Sequence, residues 1–162
     1  MQKALLIQFD LHQQLFNNVL KGFSDAETNS RLDGYPKMNH VKYLAGHLLN
    51  SQYALAQIAG VNPEVKWNEL FAVMGQSAAK DNFEYPDIEE IKSEWNALYE
   101  LTRKGLAKLD KNDLAKVPEE PFSQVAETVL DLWAFVNHHI GYHIGQISIM
   151  RRGFNKAPMS YE

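Results

Sequence analysis

His139 and His143 stand four residues apart in a stretch, Val136 to Ile147, whose apolar spacing is helical. On an α-helix that interval puts two side chains on one face, roughly 6 Å apart along the axis. Two imidazoles so placed can converge on one divalent ion at about 2.1 Å, the length of a Zn–N bond. A third imidazole, His47, lies midway along another amphipathic segment and can close the set from across a bundle. Three histidines on two helices leave a coordination position over, which suits a reactive metal site better than a structural one. The chain has no cysteine. Disulfides, thiolate zinc sites and a cysteine nucleophile are therefore excluded, and any metal must rest on histidine, carboxylate or water.

A lone histidine on an apolar helix face is more often a satisfied core residue than a ligand. The pair shifts that balance, because burying two neighbouring imidazoles without partners is costly, and His47 shifts it further. His138 sits about 100° round the helix from His139 and points elsewhere. His40 precedes His47 by seven residues, on nearly the same face but two turns away, and reads as a pocket or helix-start residue. His12 has no spacing partner and reads as a surface or boundary residue. Val136 and Ile140 occupy the positions three before His139 and His143, so the Glu-x-x-His motif of di-iron bundles is missing and a mononuclear site is expected. Asp87, Glu89, Glu90 and Glu94 suit a solvated helix start that complements the dipole. No Walker loop, Rossmann fingerprint, GxSxG elbow or EF-hand loop occurs.

Four long helical patterns must position these groups, and no strand run competes with them. The first spans roughly Ala4 to Lys21, with Leu5, Phe9, Phe16, Val19, Leu20 and Phe23 at helical spacing and Gly22 as its stop. Ser24 and Glu27 then form a capping box for a short extra turn. The second pattern runs from Asn39 as N-cap to Gly60, with Pro63 beyond, and carries His47 on its inner stripe. The third opens on the capping box of Asp87 and Glu90, with Ile88, Ile91, Trp95, Leu98, Leu101 and Leu109 as its apolar face. The fourth starts at Thr128, with Asp131 at the third helical position, and runs to Arg152. Its inner face reads Leu132, Val136, His139, His143, Ile147 and Met150. Between these patterns, a short helix is expected at Trp67 to Ala72, and Lys111 to Ala126 reads as a polar, turn-rich loop. The whole is an all-α, four-helix bundle with a long crossover connection.

At 162 residues the chain forms one domain over 1–162, large enough to bury about 70% of its unfolded surface. Its net charge of −4 and pI near 5.9 leave no basic footprint for nucleic acid. The apolar run at the N-terminus is too short for a signal-peptide core, and no stretch approaches the ~18 apolar residues of a membrane span. The cytoplasm is the expected compartment. Gly141 and Gly145 each cost about 1 kcal/mol relative to Ala inside a helix and lie opposite His139 and His143. With Ile140 and Ile144 beside them, they suggest close approach of a second subunit's helix, and a homodimer is expected.

Asn39-His40-Val41-Lys42-Tyr43-Leu44-Ala45-Gly46-His47-Leu48 resembles the second-helix signature of the DinB-like (DinB/YfiT) metalloenzyme superfamily, in which a histidine follows a glycine. His139-Ile140-Gly141-Tyr142-His143-Ile144-Gly145-Gln146-Ile147, followed by Arg151-Arg152, looks like its C-terminal signature. Tyr85-Pro86-Asp87 and Glu127-Thr128 are in keeping with it, so the resemblance spans nearly the whole chain. It implies an up-up-down-down bundle holding one divalent ion, nickel or zinc, on the matching residues His47, His139 and His143, commonly in a dimer. Characterised relatives include transferases and isomerases that use a low-molecular-weight thiol.

The leading expectation is a mononuclear metal-dependent enzyme acting on a small-molecule substrate. Three neutral ligands leave the ion's charge intact, so it can lower the pKa of bound water towards ~7 or stabilise a bound thiolate. The thiolate route gives thiol transfer to an electrophile and is favoured by the resemblance alone; the hydroxide route gives a hydrolase. Tyr142 and Gln146 flank the ligands and are candidate pocket residues. The rival is a non-enzymatic stress-response bundle that binds a metal or small ligand.

Overall fold

A computed structural model describes residues 1–71 and 78–162. Its elements are α1 (Gln2–Leu20), α2 (Asp25–Thr28), α3 (Val41–Ile58), α4 (Ile88–Leu106), α5 (Lys111–Leu114) and α6 (Val129–Gly153), with a 3₁₀ turn at Phe122–Gln124 before α6. No strand occurs among the described residues.

The helix starts are chemically explicit. Ser24 with Glu27, Asp87 with Glu90 and Thr128 with Asp131 close reciprocal capping boxes, as the sequence predicts. A fourth, Asp110 with Asp113, opens α5 inside the segment expected to be loop. The N-cap of α3 is His40 rather than Asn39: His40 Nδ1 accepts the Tyr43 N–H at 3.0 Å. Asn39 instead accepts the N–H of Ala79. The helix expected at Trp67 to Ala72 is a single turn over residues 67–71. Trp67 adopts φ +55°, left-handed backbone that cannot begin a right-handed helix, and its carbonyl accepts from both Leu70 and Phe71. Ala72 lies outside the described residues.

Each long helix packs on two others: α1 on α4 and α6, and α3 on α4 and α6. Side-chain bonds set the directions. Gln2 reaches the Leu106 carbonyl, Asp10 binds Arg103, and Asn17 meets Asn96, so α1 and α4 are antiparallel. Asn137 donates to Gln8, and Arg151 to the Val19 carbonyl, so α1 and α6 run together. Gln52 donates to the Trp95 carbonyl, and Gly105 abuts Ala59, so α3 runs with α4. The order is therefore up-down-down-up, which corrects the expected up-up-down-down. Parallel neighbours α3 and α4 require a connection that travels back along the bundle, and residues 59–87 provide that long crossover.

The core fills the centre, where Phe16 stacks on Trp95 with centroids 4.0 Å apart and Phe9 meets Trp133 edge-on. Leu101, assigned to the inner face of α4, is exposed. Ile140 and Ile144 are 0% and 2% exposed and belong to this core, so they supply no apolar surface to a second subunit. Gly141 faces α1 of its own bundle, where an added Cβ would lie 3.3 Å from His12 Nε2. His12 itself is buried, against expectation. No helix among the described residues is long and apolar enough to cross a membrane.

Candidate metal centre

α3 and α6 pack against one another, with the middle of α3 opposite the middle of α6. His47 projects from one, and His139 and His143 from the other. One ring nitrogen of each lies within 4.8 Å of the others. The tightest approach, 2.9 Å, is between Nε2 of His47 and Nε2 of His139. Two nitrogens bonded at about 2.1 Å to one ion lie roughly 3.0–3.4 Å apart between right-angle and tetrahedral geometry. The spacing fits a shared cation. This is the one cluster of three or more potential metal ligands among the described residues, and it contains no carboxylate.

Two of the remaining ring nitrogens, those of His143 and His47, face oxygen acceptors. His143 Nδ1 donates to Gln146 Oε1 at 2.7 Å, and Gln146 Nε2 donates in turn to the Tyr142 hydroxyl. His47 Nδ1 faces the Phe71 carbonyl at 3.4 Å. A carbonyl can only accept, so each contact places the proton on Nδ1 and leaves the Nε2 lone pair free. Lone pairs aimed at one point repel unless a proton or a cation sits between them. Burial favours the neutral form of all three rings. It pushes His139 down to about 4, with His143 and His47 adding repulsion. It also lowers His47, again helped by His143, and lowers His143 against the opposing bond to Gln146. Neutral imidazole is the form that binds metal.

Gly46 explains how Phe71 comes to lie beside His47. A Cβ on Gly46 would penetrate the Phe71 ring, and that ring is buried and stacked on Tyr85 with centroids 5.6 Å apart. The absent side chain thus lets the crossover dock on α3. The Tyr43 ring lies parallel to His47 on the same helix, centroids 6.3 Å apart. The sequence singled out all three ligands and Gln146. Phe71 escaped it, because an acceptor that is a backbone carbonyl on a crossover leaves no spacing signal. Of the other histidines, His138 is exposed and His40 is the buried cap of α3, neither joining the cluster.

The three rings line a cavity of about 490 Å³ between α3, α6 and both long connections. Leu44, Val65, Phe122, Leu132, Phe135 and Val136 supply apolar wall, and no Asp, Glu, Lys or Arg lines it.

Fold and site together define a helical bundle with a three-histidine, carboxylate-free centre opening on a small-molecule cavity. The model of the DinB superfamily matches residues 8–147, and the chain belongs to that superfamily. No curated protein gives a significant match to it.

Proposed function

We propose that this protein is a mononuclear metal-dependent enzyme that transfers a low-molecular-weight thiol to an electrophilic small molecule. The observation that supports it best is the convergence of three imidazoles on a cavity whose wall carries no Asp, Glu, Lys or Arg. A nickel or zinc ion held there by three uncharged ligands would keep its full charge and favour the thiolate over the thiol. The chain's own residues do the rest. Gln146 and the Phe71 carbonyl fix two of the three rings, and the apolar walls exclude water from the reacting atoms.

A wall without Asp, Glu, Lys or Arg favours a thiol over water as nucleophile. A thiol ionises near pH ~8.5, against ~15.7 for water, so it needs far less help. In the transfer, sulfur gives its electron pair to the electrophilic carbon and forms a C–S bond. The leaving group departs with the pair of the bond that breaks, and the S–H proton passes to solvent. The cytoplasm, where such thiols are kept reduced, is the compartment this reading requires.

Elemental analysis of protein purified without a histidine tag, then a screen of thiols and electrophiles with and without added metal, tests the proposal. Metal-dependent turnover that needs the thiol is expected. Metal-dependent turnover without any thiol would discard the transferase and support the hydrolase.

We propose further that the protein is a homodimer joined along the outer side of α6. Tyr142 and Ile149 stand there seven residues apart, 58% and 68% exposed, and an added Cβ at Gly145, between them, would meet nothing. Light scattering should give a dimer that Ile149→Glu weakens. A wild type that stays monomeric at high concentration would dismiss it.

A further inference from the structure

The wall chemistry of the cavity restricts what can occupy it. Its volume, about 490 Å³, falls inside the ~300–1,000 Å³ range of small-molecule sites. The wall is mainly aliphatic and aromatic, and it offers no charged side chain to pair with a charged ligand; the sequence of residues 72–77 has none either. A charge brought in without a partner is strongly penalised.

The few polar groups in the wall divide into spent and unspent. Ser51 donates to the His47 carbonyl and Asn39 accepts from Ala79, so both serve the backbone. Asn50 and Asn68 pair through one N–H and one oxygen, Asn50 Nδ2 to Asn68 Oδ1 at 2.9 Å. That leaves Asn50 Oδ1 and, from exposed Asn68, Nδ2, an acceptor and a donor side by side at the edge of a cavity whose wall is mainly apolar, while the Tyr53 hydroxyl is taken up by Glu94. Asn50 follows His47 by three residues, about 4.5 Å along α3. The amide pair therefore sits roughly one helical turn from the histidines.

We infer that the cavity takes a neutral, mostly apolar organic molecule, one end against the three histidines and one amide or carbonyl-like group on the Asn50–Asn68 pair. The placement of that first end rests on the metal-centre reading above; the neutrality and polarity pattern rest on the walls alone. In the proposed reaction this molecule is the electrophile, since a thiol bearing several carboxylates finds no cation here other than the metal.

A matched pair of fluorescent probes tests the inference. Phenylnaphthylamine is neutral, and anilinonaphthalene sulfonate is the same skeleton with one negative charge. Both are titrated into chelator-treated protein, so that no ion can attract the sulfonate. Phenylnaphthylamine should bind once per chain and at least about tenfold more tightly than its sulfonate. Ala54→Phe, which fills the cavity from α3, should abolish that binding. Val125→Lys, at the exposed rim, should restore affinity for the sulfonate, and it keeps the test decisive should the Phe variant fail to fold. Equal or tighter binding of the sulfonate by the wild type would overturn the inference. So would phenylnaphthylamine binding indifferent to Ala54→Phe in a folded variant, or sulfonate binding indifferent to Val125→Lys.

Copper(II) added afterwards separates this inference from the metal reading. A paramagnetic ion at the histidines should quench the bound neutral probe, and His139→Ala should lose the quenching while keeping the probe. Probe selectivity without any metal uptake would fell the metal reading and leave the wall chemistry standing. Metal uptake without probe selectivity would do the reverse.

Discussion

Gly46→Ala adds one methyl group to α3, and its consequences follow from where that methyl must go. It would enter the Phe71 ring, which is 1% exposed and wedged between Tyr85 and Tyr43. The ring has no empty space to take, so Phe71 and its carbonyl must shift together. Overpacking of this kind costs about 1–3 kcal/mol. Alanine's better helix propensity returns roughly 1 kcal/mol, leaving a net loss of about 0–2 kcal/mol. The effect on metal should be plainer, because His47 loses the acceptor of its Nδ1 proton. Losing such an outer partner weakens metal binding about 10–100-fold. The bond is long at 3.4 Å, so the lower end, roughly 1.4 kcal/mol, is expected. Competition with a chromophoric chelator measures zinc affinity, and urea unfolding of the metal-free form measures stability. In the double variant Gly46→Ala, Phe71→Ala the methyl no longer meets a ring, so its further cost should nearly vanish. Wild-type affinity together with a wild-type urea midpoint in Gly46→Ala would refute the account of how the crossover supports His47.

Other substitutions probe separate links. His143→Ala should lose the metal yet keep its circular dichroism, since the core around Trp95, Phe16 and Trp133 lies away from the ligands; global unfolding would mark the metal as structural. Gln146→Leu removes the acceptor of His143 and should weaken metal binding about 10–100-fold without altering the fold, so an unchanged affinity would deny Gln146 its orienting role. His40, held down to about 4 by burial and by Arg31 and Lys42, should make the protein acid-sensitive. Its folded value lies below the unfolded ~6.5, so its contribution is complete above that pH and is lost as pH falls towards 4, by up to about 3 kcal/mol. Asparagine caps helices without titrating, so His40→Asn should flatten that part of the urea-midpoint profile between pH 7 and 4.5, and an equally steep profile would contradict it. Arg151→Met strands the Val19 and Lys21 carbonyls that its guanidinium caps, and should cost about 1–3 kcal/mol with metal affinity untouched; a shift in metal affinity would show that Arg151 reaches the site.

The parts of this molecule that sequence reveals are those written in local spacing. The interval from His139 to His143, the apolar stripes and the helix-start pairs are contained within a helical turn or two, and apart from Leu101 they appear in the structure where the spacing puts them. What depends on which faces meet is less visible. The direction of α3 relative to α1 is set by contacts with α4 and α6, and no local pattern encodes it. His12 looked like a boundary residue because its neighbour, Gly141, lies more than a hundred residues away. Ile140 and Ile144 looked available to a partner for a similar reason: a helix that packs on α1 and α3 at once buries more of its circumference than one stripe suggests. Arg151 reads as half of a surface doublet, yet its guanidinium closes the C-terminal end of α1.

Helix direction and site construction are one problem in this fold. Because α3 and α4 run together, the chain must return along the bundle between them, and the returning segment cannot avoid the surface it crosses. It docks where Gly46 leaves room, and there it delivers the Phe71 carbonyl to His47. The same connection contributes Val65 and Asn68 to the cavity, while the later one, between α4 and α6, contributes Phe122 and Val125. The three histidine nitrogens thus belong to two rigid helices that also supply most of the cavity wall, and the connections close that wall with Val65, Asn68, Phe122 and Val125. Substitution in those connections can change what the cavity accepts without disturbing the three nitrogens. A histidine triad legible from sequence is therefore compatible with a substrate that is not: the triad is fixed by helical spacing, and the cavity in part by how two loops fall across it.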